Sequence, residues 1–128
     1  MKKIISLAIL ALLMMVAAPA WSAQAVAVYT CAQAAGASED DVDAAAAAWL
    51  KAAKGVKGGE GFGVVIMYPL AATMGDSDFM FLVTAPSISA WGQFMDNYEG
   101  NSLAAEDKKF ADVAACADSA LWEWVKFE

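Results

Sequence analysis

Residues 61–85 read GFGVVIMYPLAATMGDSDFMFLVTA, two apolar runs either side of a Gly-Asp-Ser-Asp turn. β-Branched and aromatic residues dominate both runs, and Met74-Gly75-Asp76-Ser77 supplies turn chemistry between them. The stretch is read as an antiparallel hairpin, with strands at residues 61–73 and 78–85. Pro69 has no amide donor, so it interrupts the first strand and assigns it to a sheet edge or a bulge. Strand side chains alternate between faces. Phe62, Val64, Ile66 and Tyr68 point one way, Val65 and Met67 the other; Phe79, Phe81 and Val83 oppose Met80 and Leu82. Both faces are therefore apolar, whereas a sheet covered on one side normally alternates apolar with polar.

Upstream, residues 26–31 form a short β-branched and aromatic strand. Ser38 follows as a helix N-cap, with Glu39, Asp40, Asp41 and Asp43 where carboxylates meet the positive end of the helix dipole. Val42, Ala45, Ala46, Trp49, Leu50 and Ala53 recur at helical spacing, and Gly55, Gly58 and Gly59 stop the helix. Downstream, Ser87 or Ser89 caps a second helix with Trp91, Phe94, Met95 and Tyr98 as its stripe. Gly100-Asn101 breaks it, and Ser102 restarts a helix carrying Leu103, Phe110, Val113 and Ala114. Residues 121–127 make a last strand, with Leu121, Val125 and Phe127 against Trp122 and Trp124. The order β-α-β-β-α-(α)-β is the split plan of an α+β, ferredoxin-like βαββαβ domain, a four-stranded antiparallel sheet with helices on one face.

The beginning of the chain reads differently. Lys2-Lys3, an apolar run through Val16 and small residues around Pro19 have the pattern of a cleaved export signal. The run is shorter than the roughly 20 apolar residues a spanning helix needs. Residues 1–22 are assigned to this signal, with the cut after Ala20, Ser22 or Ala25, and residues 26–128 to a single domain. Losing Lys2 and Lys3 leaves six lysines against fifteen carboxylates, a net charge of −9. With no arginine, the chain is a poor partner for nucleic acid or anionic lipid. With no histidine, it has no His-ligated haem or zinc and no Ser-His or Cys-His pair. No cofactor and no metal are expected. A periplasmic or secreted protein with no membrane span in its mature form follows.

Export also bears on the two cysteines. In a ferredoxin-like sheet the first and last strands are antiparallel neighbours, and Cys31 ends the first while Cys116 lies just before the last. An oxidising compartment favours a disulfide between them. Bridging so long a loop would contribute roughly 4 kcal/mol. The second apolar face of the sheet has nothing left in the chain to cover it, and a face of that size does not stay wet. Packing two copies across a twofold axis covers both, so a homodimer joined sheet to sheet is expected.

Element order, length and two-faced sheet together resemble the dimeric α/β-barrel superfamily, which includes antibiotic-biosynthesis-monooxygenase-like, EthD-like and stress-responsive barrel proteins. The resemblance spans the chain after the leader and rests on pattern alone. It implies a ligand pocket between sheet and helices, lined by residues that combine stacking with a polar handle, here Tyr68, Trp91, Asn97 and Tyr98. At strand and helix spacing such aromatics serve first as core. Asp76 and Asp78 read as turn residues and Glu123 as a solvated edge position. No catalytic residue can be named. The sequence favours a non-catalytic binding or structural module for a small apolar or aromatic molecule; the alternative is a cofactor-independent oxygenase or isomerase acting on a small aromatic compound.

Overall fold

The computed structural model describes residues 24–99 and 103–125. The leader expected at residues 1–22, the Gly100-Asn101 break, Ser102 and Phe127 lie outside them. Alternating strand patterns and two capped helices build β1 (Gln24–Gln33), α1 (Glu39–Ala53), β2 (Gly63–Met67), β3 (Phe79–Ala85), α2 (Ile88–Asp96), α3 (Leu103–Val113) and β4 (Ala114–Trp124). The sheet is antiparallel in the order β2-β3-β1-β4. This is the ferredoxin-like arrangement, with β1 and β3 central and β4 at an edge.

Local chemistry explains the element ends. The Ser38 hydroxyl accepts from the Asp41 amide while the Asp41 carboxylate accepts from the Ser38 amide at 2.8 Å, a capping box that opens α1. At the far end Gly58 has φ +94°, and a Cβ there would lie 2.5 Å from the Phe94 amide nitrogen. Only glycine lets the chain leaving α1 pass so close to α2. Ser87, not Ser89, caps α2, its hydroxyl accepting from the Ala90 amide at 3.0 Å. In α2 the stripe is narrower than its spacing suggests: Phe94 is buried, Met95 is half exposed, and Tyr98 lies beyond the helix end.

β1 runs two residues beyond its expected span at each end, and two other strands differ more. The strand expected at residues 61–73 stops at Met67. Beyond it Tyr68 turns its hydroxyl to Asp43 on α1, and Pro69 cannot continue the ladder. The last strand, expected at residues 121–127, begins already at Ala114, directly after α3. Cys116 therefore lies inside β4 rather than ahead of it, in register with Cys31, and the two form a disulfide.

Every second strand residue faces the helices. Cys31, Phe79, Phe81 and Val83 from the sheet meet Val42, Trp49, Phe94 and Leu103 from the helices, all buried. Rings interlock within this layer: Trp49 meets Phe81 edge-on at 5.8 Å, and Phe62 stacks on Trp91 at 5.7 Å. The opposite face carries Val65 on β2, Met80 and Leu82 on β3, Val28 on β1, and Trp122 and Trp124 on β4. Among the described residues no element covers it. Val65 (47%), Trp122 (60%) and Trp124 (51%) stand about half exposed. Between Val28 and Thr30 the β1–β4 register shifts by one residue, a bulge in the edge strand. Among the described residues no helix is long and apolar enough to cross a membrane.

The disulfide closes a separation of 85 residues. Replacing both Cys31 and Cys116 with Ala should lower the free energy of unfolding by about 4 kcal/mol, measured by urea denaturation; an unchanged midpoint would show the bridge to be energetically idle.

Candidate functional site

The aromatic layer does not fill its own space. A cavity of about 340 Å³ lies between the sheet and the helices. Tyr29, Phe81 and Val83 form its floor, Trp49 comes from α1, and Trp91, Phe94 and Met95 come from α2. Tyr98 and Asp107 bring the polar atoms, and Phe110 and Cys116 close the side next to β4. The volume sits at the lower end of the roughly 300–1,000 Å³ usual for small-molecule sites.

Asp107 organises the polar wall. Its Oδ1 accepts from the Trp49 indole Nε1–H at 2.6 Å, and its Oδ2 accepts from the Tyr98 hydroxyl. One carboxylate thus ties α1, the segment after α2, and α3. Burial raises the Tyr98 hydroxyl pKa above its ordinary value, and the hydrogen bond and charge of Asp107 raise it further. Tyr29 is raised by burial first and then by the Asp107 charge. Both phenols keep their protons through neutrality, and Asp107 is committed as an acceptor to two donors. Among the described residues no group of three or more His, Cys, Asp or Glu could hold a metal ion.

The four residues expected to bind a ligand are not brought together. Trp91 and Tyr98 line the cavity. Tyr68 lies in a separate groove between α1 and β2, with Asp43, Leu50 and Ile66. Its hydroxyl donates to Asp43 Oδ1 at 3.0 Å, and its pKa is pushed up to about 12 by burial, by that hydrogen bond, and by the charges of Asp43, Glu39 and Asp40. Asn97 is the C-cap of α2, and its side-chain amide donates to the Gln93 carbonyl at 2.7 Å. Trp122 and Trp124 stand on the free sheet face. Asp78 is structural: its carboxylate accepts from the Gln33 amide at 2.7 Å and its amide donates to the Cys31 carbonyl at 2.8 Å. Glu123 is exposed on the edge strand.

Asp107 itself escapes a reading of the sequence, since Glu106-Asp107-Lys108-Lys109 looks like a solvated run. The signal was its phase. Asp107 stands four residues after Leu103 and three before Phe110, both buried, so helical spacing puts its carboxylate on the inner stripe of α3.

The fold aligns with solved structures at low sequence identity. SnoaB, a cofactor-independent oxygenase from Streptomyces nogalater, superposes with a TM-score of 0.53 at 8% identity, covering 83% of this chain and 97% of that one. A dimeric ferredoxin-like protein of unknown function from Thermobifida fusca gives 0.49 at 14% identity, covering 82% and 92%. Another of ferredoxin-like fold from Bacteroides fragilis gives 0.41 at 6% identity, covering 79% and 96%. No protein-family model matches the sequence, and neither does any curated protein. The resemblance to dimeric α/β-barrel proteins holds at the level of the fold.

All three tyrosines hold their protons above the ordinary pKa of 10.0. Because the folded value of Tyr68 lies above the unfolded one, the stabilisation it contributes is complete below pH 10 and drains as the pH rises through about 12. Ultraviolet titration of the folded protein should show a tyrosinate step near 12 that Tyr68→Phe removes; a Tyr68 step at the ordinary position would contradict the hydrogen bond to Asp43.

Proposed function

We propose that the chain is an exported homodimer that holds a small apolar or aromatic molecule in the cavity beneath its sheet, without turning it over. The observation that carries this is the cavity itself: an unfilled, ring-lined space in which Asp107 is engaged by Trp49 and Tyr98. General acid–base catalysis needs a group ready to exchange a proton near the working pH. Tyr98 and Tyr29 are held protonated, and the chain has no histidine.

Export is supported by the leader pattern of residues 1–22 and by a disulfide, which persists in oxidising compartments. Dimerisation is supported by the free sheet face, where Val65, Met67, Trp122 and Trp124 present a patch larger than scattered surface apolar residues require. A cofactor-independent oxygenase is the second possibility, favoured by Trp91 and Tyr98 meeting in one cavity of a fold that SnoaB also has.

Native mass spectrometry of the protein purified from the exported fraction separates these. The expected result is a dimer of chains cut after Ala20, Ser22 or Ala25, carrying a small-molecule adduct that Trp91→Ala loses. Met67→Glu should yield monomers. Oxygen uptake with a phenolic substrate, abolished by Trp91→Ala, would instead favour the oxygenase, and a bare monomer would count against both cavity and interface.

A further inference from the structure

Resting on the binding function proposed above, we infer that the cavity selects a cationic guest, an amine carried on a small aromatic or alkyl body. Three independent features point there. First, the walls are π-faces: Tyr29, Trp49, Phe81, Trp91, Tyr98 and Phe110 all border the space. An aromatic face carries negative quadrupole density and attracts an ammonium group, most of all where water is thinned out.

Second, the only charged side chain lining the cavity among the described residues is a carboxylate, Asp107. It is held from two sides, by the Trp49 indole and the Tyr98 hydroxyl, so it cannot swing out to solvent. An ionised carboxylate offers about four acceptor positions, and two donors leave room for an N–H of the guest. A charge-assisted hydrogen bond of this kind is stronger than one between neutral groups.

Third, nothing there favours an anion. No lysine borders the cavity, and the chain has neither arginine nor histidine. Its net charge of −7 draws cations toward it and turns anions away. A carboxylate or phenolate guest would face Asp107 with no countercharge. A neutral hydroxyl would donate to Asp107 without bringing a countercharge.

Three probes of nearly equal shape decide the matter: phenethylamine, phenethyl alcohol and phenylacetate, each titrated calorimetrically into the mature disulfide-bonded protein. The amine should bind tightest, on the order of tenfold above the alcohol, with one site per chain, and phenylacetate weakest. In Asp107→Asn, whose Oδ1 still accepts from the Trp49 indole while its amide donates to the Tyr98 hydroxyl oxygen, the amine should fall to the affinity of the alcohol. The wild-type comparison stands even if that variant does not fold. Equal affinity for amine and alcohol would overturn the charge selection and leave the binding function standing. Failure of all three probes to bind would overturn both.

Discussion

The carboxylate of Asp107 is the point on which the helical layer turns. Apart from the Tyr68–Asp43 hydrogen bond beside β2, the other contacts described between the helices and the inner sheet face are apolar and non-directional, so they fix how much surface is buried more than how the helices are oriented. Two hydrogen bonds to one charged group, from Trp49 and Tyr98, add direction. Each is of the kind that contributes about 1.5–3 kcal/mol. They join α1, the end of the α2 segment, and α3, so removing the carboxylate would release three elements at once. The same bonds hold Trp49 and Tyr98 as cavity wall, where free rotamers would let them collapse inward and fill it.

Much of this was legible in the sequence, and where it was not the reason is physical. The α1 helix was written plainly because its signals are local: Ser38 with Asp41, a buried stripe, then glycines. The hairpin and the two apolar sheet faces follow from alternation, a period the chain cannot hide. The start of β4 was hidden because Ala114, Ala115 and Ala117 suit a helix as well as a strand. No glycine or proline separates them from α3. What makes them strand is pairing with β1 and the bridge to Cys31, which are long-range facts.

The candidate site was half legible for a related reason. Trp91 and Tyr98 belong to a local stripe and reached the same cavity. Tyr68 shares the inner sheet face with Phe79, its ring 5.6 Å away, but β2 is the edge strand farthest from β4, so it borders a different groove. Asn97 was spent on ending its own helix. Asp107 had to be seen as a misfit, one acid on an apolar stripe, rather than as one of four charges in a row.

The bulge in β4 gives the edge strand a property best described as phase. Between Cys116 and Trp122 the chain takes one step more than β1 takes opposite it. That step lets Cys116 face the helices with Cys31 while Trp122 and Trp124 face outward. The same residues in unbroken alternation would keep their number, their composition and their disulfide. Unbroken alternation would also swing both indoles to the helix side, since Trp122 stands an even number of steps from Cys116, and bring Leu121 and Glu123 onto the open face. The bulge thus acts as a parity bit for the molecule's outer surface, set by where the backbone breaks its alternation.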